Sequence, residues 1–97
     1  MFFDLPVLTD KNRRDYRMFR KNLIKSGFVM MQESVYCKLA QNSSVAETIM
    51  TNVRSVKPPD GLIQMLCITE KQFSKMEYVL GMKNTSVIDS DERLVIL

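Results

Sequence analysis

Residues 28–40 read FVMMQESVYCKLA, and the way this run divides decides the fold. Its β-branched and aromatic side chains suit extended chain, where branched groups pack on a pleated surface. The polar pair Gln32-Glu33 interrupts the apolar sequence, so the run is either a tight hairpin or one strand with a bulge. On both sides the pattern turns helical. Upstream, Tyr16, Phe19 and Leu23 share one stripe at the roughly 100° per residue of an α-helix. That helix is predicted from about Lys11 to Ser26, with Thr9 or Asp10 as its cap and Gly27 as its stop. Downstream, QNSS is a turn, and Ser43 or Ser44 caps a second helix in which Val45, Ile49, Val53 and Val56 recur at helical spacing.

Further out, MFFDL reads as a buried strand stopped by Pro6, which has no amide for a central ladder. KPPDG is a loop, LIQMLCIT a strand apolar enough for the middle of a sheet, and EKQFSKM a single helical turn. EYVLG is read as a short strand, KNTSVIDSDE as a polar connection and RLVIL as a last strand. This order fits one α+β domain over residues 1–97: a ferredoxin-like βαββαβ antiparallel sheet with both helices on one face. RLVIL, at about 93–97, is then extra, and is expected on an exposed edge of this sheet or of a partner subunit's. Ninety-seven residues bury a modest core, so a homodimer is the expected state.

Composition narrows the chemistry. The chain has no histidine, which removes His-based acid–base catalysis and Cys-His or Ser-His-Asp nucleophiles. Cys37 and Cys67 lie thirty residues apart without a CxxC, and are read as buried free thiols. No apolar run approaches the roughly 18 residues of a membrane span, and the first residues lack the layout of a secretory signal, so a cytoplasmic address is expected. Eight methionines are many, and Met30, Met31, Met50 and Met65 are assigned to packing. Asp89–Glu92 lacks the spacing of a calcium loop and is read as a solvated acidic loop.

Two features are candidates for function. The net charge is only +3, yet Lys11, Arg13, Arg14, Arg17, Arg20, Lys21 and Lys25 crowd fifteen positions opposed by Asp15 alone. A charge run of one sign suits a polyanion, and Arg13, Arg14, Arg17 and Lys21 are the expected phosphate contacts. Tyr16 and Phe19, on the stripe, are assigned to the core. The second feature is Asp4, an acid at the end of an apolar strand. It either helps cap the next helix or reaches a cation, and one carboxylate per chain is a poor Mg²⁺ site unless a two-fold mate supplies another.

FFDLP, the basic first helix, GFVMMQESVYCKL, ITEKQF, GMKNTS and SDERLVIL, in this order, resemble the small CRISPR-associated spacer-acquisition subunit, the Cas-two family, in its type II branch. The resemblance implies a ferredoxin-like homodimer that binds duplex DNA and bridges dimers of the CRISPR integrase. It also implies an alternative, a Mg²⁺-dependent endonuclease on RNA or DNA, with Mn²⁺ as substitute and Asp4 as both catalytic residue and metal ligand. A generic ferredoxin-like module for single-stranded RNA is a third reading, but its aromatic signature is missing.

Overall fold

The computed structural model describes residues 1–81 and 93–97, and the polar connection with its Asp89–Glu92 cluster lies outside them. The described elements run β1 (Phe2–Asp4), α1 (Asp10–Lys25), β2 (Val29–Gln32), β3 (Val35–Ala40), α2 (Ser43–Ser55), β4 (Leu62–Gln64), β5 (Cys67–Thr69), α3 (Glu70–Ser74) and β6 (Leu94–Ile96). This is the ferredoxin-like α+β plan with an added strand.

Residues 28–40 combine both readings left open above. They form a hairpin that turns at Glu33-Ser34, where Ser34 takes a left-handed φ of 67°, and the register of β2 on β3 shifts between Met30 and Gln32 as in a bulge. Both long helices lie on one sheet face. Phe19 and Leu23 from α1 and Ala46, Ile49 and Val53 from α2 bury against Phe3, Tyr36, Ala40 and Ile96. At α2 the cap is Asn42, whose side chain accepts from the Val45 amide at 2.9 Å, not Ser43 or Ser44. Ile49 and Val53 of the expected stripe are buried, with Ala46 beside them, while Val45 and Val56 are exposed.

The run 62–69 is not one central strand. It splits into β4 and β5 around Met65 and Leu66, and the two pieces pair with different strands. β1 pairs with β3 through Phe2↔Val35 and with β4 through Phe2↔Gln64, Phe3↔Ile63 and Asp4↔Leu62. β6 pairs with β3 through Lys38↔Ile96 and with β5 through Cys67↔Ile96, both antiparallel. The two sets of pairs lie on one continuous register, so β6 and β1 occupy a single lane end to end. Leu97 exchanges backbone bonds with Leu66 at 2.7 and 2.6 Å, and the Tyr36 amide donates to the Met1 carbonyl at 2.9 Å. The Met1 ammonium is buried in this lane, donating to the Tyr36 carbonyl at 2.6 Å, and burial pushes its pKa down to about 5. RLVIL is therefore interior in its own chain and does not extend an edge.

α3 begins with a reciprocal cap between Thr69 and Gln72 and covers part of the opposite sheet face. There Phe73, Val95 and Leu97 pack with Met31, Cys37 and Ile68. Glu70, 2% exposed, is held by Arg93 at 3.0 Å, which ties α3 to the start of β6. Three expectations are corrected. Cys67 is exposed, not buried, and Met30 is half exposed, not packed. EYVLG forms no strand in the described structure, and Val79 is 88% and Leu80 95% exposed. Among the described residues no helix is long and apolar enough to cross a membrane.

Candidate nucleic-acid interface

α1 is fixed at both ends by local chemistry. Thr9 accepts from the Asn12 amide at 3.0 Å, and the Asn12 side chain accepts from the Thr9 amide at 3.3 Å. Asp10 in the first turn and Lys25 in the last complement the helix dipole, and Gly27, at φ +93°, ends the helix in a conformation that suits glycine. With Phe19 and Leu23 turned into the core, the opposite side must face water.

That side carries the cations, but they are not equivalent. Arg14, Arg17, Lys21 and Lys25 are exposed and, among the described residues, have no hydrogen-bonded or ion-paired partner. They follow one another at intervals of three or four residues, so they form a ridge along a single face. Arg13 does not belong to it. Its guanidinium pairs with Asp10 and donates to the carbonyls of Val7 at 3.0 Å and Leu8 at 3.3 Å, tying down the loop before the helix. Lys11 leans on Asp15 at 3.9 Å, an exposed contact that holds little energy.

Arg20 was not among the expected contact residues, yet it is the best oriented cation. Its Nε donates at 2.9 Å to the hydroxyl of Tyr36, a residue 1% exposed, and this bond comes first among the causes that raise the arginine's pKa. Tyr16 packs against the core as assigned, half-buried at its rim, where it meets Phe3 edge-on at 6.1 Å and lines a groove on α1.

Asp4 lies elsewhere. Successive residues of a strand point to opposite faces, so Phe3 enters the helix-side core while Phe2 and Asp4 face the other side of the sheet. There Asp4 is exposed beside Phe2, Ser34, Val35, Leu62 and Gln64 in an open hollow of about 220 Å³, and no cation lines it. Gly61 sets the backbone here, since a Cβ on it would stand 2.9 Å from the Asp4 carbonyl oxygen and 2.6 Å from a Leu5 methyl. Within one chain the sheet separates Asp4 from the cations of α1.

The fit to a divalent ion follows from this geometry. Among the described residues no three acidic, cysteine or histidine side chains cluster, and the hollow offers one carboxylate with a hydroxyl and an amide. A hard octahedral cation takes more oxygen than that from its surroundings. Asp4 alone does not make up such a site.

The model of the family described as CRISPR associated protein Cas2 matches residues 1–76. A CRISPR-associated endoribonuclease Cas2 from Treponema denticola is 50% identical over 97 residues, covering 100% of this chain and 96% of that protein. Proteins of the same name from Ligilactobacillus salivarius and Lacticaseibacillus rhamnosus are 45% and 39% identical, again over 100% of this chain and 96% of each.

Proposed function

This chain belongs to the CRISPR-associated Cas2 family, and on that premise we propose that two copies act as a CRISPR adaptation subunit that binds duplex DNA along α1 and bridges integrase dimers during spacer acquisition. The observation that carries the reading is the row of four exposed, unpartnered cations on α1. Such a row engages phosphates, not base edges, so binding is insensitive to sequence and steeply dependent on salt.

Pairing of two copies is supported by what α3 leaves uncovered. Phe2 and Leu62, the latter 56% exposed, give the sheet face around Asp4 an apolar surface, and Tyr78, Val79 and Leu80 are further exposed apolar side chains. Burying these groups against a second copy removes their contact with water. Light scattering of wild type and Leu62→Glu tests this: the wild type is expected as a dimer and the variant as a monomer, and two monomers contradict the pairing.

A second reading has its own observation. Asp4 lies exposed on the same bare face, where a two-fold axis brings it to its copy. The two Asp4 carboxylates would hold Mg²⁺, or Mn²⁺ in its place, and such an ion would supply activated water for cleavage of RNA or DNA. Asp4→Asn separates the two readings. As an endonuclease the protein loses Mg²⁺-dependent cutting of single-stranded RNA or duplex DNA in this variant; as an adaptor it keeps integration by the reconstituted complex. Cutting that survives the substitution contradicts the Asp4 site, and integration that fails with a folded variant contradicts the adaptor.

A further inference from the structure

The cations of α1 do not stand on a bare surface. Arg17, Arg20, Lys21 and Lys25 border an open groove of about 470 Å³ whose remaining lining is Tyr16 and Ile24. No carboxylate lines it, so its field is of one sign. A duplex backbone needs cations only, and gains nothing from the aromatic and aliphatic groups between them.

Those groups are the unexplained part. Ile24 keeps 53% of its surface in water, in the last turn of a helix whose polar side has room for a charged residue. Tyr16 is braced edge-on by Phe3, and Arg20 is held by the buried Tyr36 hydroxyl, so an aromatic ring and a guanidinium are both set in place before any ligand arrives. Apolar groups set among fixed and flexible cations are complementary to a ring system that carries a phosphate.

We propose that this groove binds one nucleoside phosphate unit, an unpaired base lying against Tyr16 and Ile24 with its phosphate among Arg17, Arg20, Lys21 and Lys25. The unit comes from a single-stranded end or loop, or from a free nucleotide. This rests on the reading of α1 as a nucleic-acid contact and adds to it a place for a base. Nucleic acid is favoured over an acidic peptide because four cations within nine residues match a charge repeated at every nucleotide.

The experiment titrates the full chain, at one salt concentration, with adenosine monophosphate, ribose 5-phosphate, a short oligothymidylate, an abasic strand of equal length and a blunt duplex. Oligothymidylate is expected to bind about tenfold or more tighter than the abasic strand, since a stacked base contributes on the order of 1–3 kcal/mol. Adenosine monophosphate binding well above ribose 5-phosphate assigns the free nucleotide as a source; a base effect confined to the strands assigns the single strand. Ile24→Ser and Tyr16→Leu, both conservative of the fold, are expected to lower the base-dependent binding about fivefold or more while duplex affinity stays within about twofold. Equal binding of the oligothymidylate and abasic strands overturns the groove and leaves the duplex reading intact. Base-dependent binding without duplex binding overturns the duplex reading and leaves the groove. Displacement by a Glu-Phe peptide, with no base effect in any arm, also overturns it.

Discussion

α1 and α2 lie side by side on the same sheet face, and their inner sides do the same work. Phe19 and Leu23 of one, and Ala46, Ile49 and Val53 of the other, fill one core. Their outer sides differ. α2 presents Thr48, Thr51 and Asn52, with its one cation, Arg54, engaged by Glu47 at 3.0 Å and by Thr51 at 3.3 Å. α1 presents Arg14, Arg17, Lys21 and Lys25 with no such engagement among the described residues. Core packing demands only one stripe of each helix, so the outer stripe is where the two are free to diverge. Leaving four like charges unpaired is unfavourable for an isolated helix, which makes an anionic partner the economical explanation.

The comparison breaks most easily at the outer faces. Reversing Arg14, Arg17 and Lys21 to glutamate is expected to weaken duplex binding about a hundredfold or more, whereas Arg54→Glu on α2 changes it less than about twofold, as measured by fluorescence anisotropy. Equal losses from both helices end the distinction. The inner faces provide the opposite test, because there the helices are equivalent. Leu23→Ala and Ile49→Ala should each destabilise the fold by about 2–5 kcal/mol in urea unfolding, and neither should change the salt dependence of binding. The caps come next. Thr9→Ala and Asn42→Ala each remove a side-chain acceptor from a first-turn amide and are expected to cost about 1 kcal/mol. Smallest is the exposed pair on α2, where Glu47→Gln should move stability by about 0.5 kcal/mol or less.

The parts of this molecule that were legible in the sequence are those set by near neighbours. The stripe of Phe19 and Leu23, the stop at Gly27, the cap at Thr9 and the short helix EKQFS all depend on residues within a turn or two. Where placement depends on distant chain, the reading failed. LIQMLCIT has strand composition throughout, but its two halves face different partners, β1 and β6, and it breaks between them. EYVLG has strand propensity but is not paired in the described structure. Val45, read as part of the α2 stripe, is exposed while Ala46 beside it is buried, and alanine gives only a weak apolar signal.

The same division runs through the site. A one-signed charge run was visible at once, but not which cations were already used. Arg13 is engaged by the loop that precedes its own helix, and Arg20 by a tyrosine sixteen residues away. Asp4 was identified as an acid at a strand end, and the alternation of β1 puts it on the face opposite Phe3. Its separation from the helix cations needed the sheet to be built, since both features lie within the first twenty-five residues and nothing in the linear order divides them.

The central claim is that α1 meets nucleic acid through its unpaired cations, and salt titration tests it most directly. The logarithm of the duplex association constant falls with the logarithm of salt by about 0.9 for each phosphate neutralised. Replacing Arg14, Arg17 and Lys21 with glutamine should therefore flatten the slope by about 2.7 for each helix in contact. A slope identical to that of the wild type, in a variant with unchanged circular dichroism, would contradict the account.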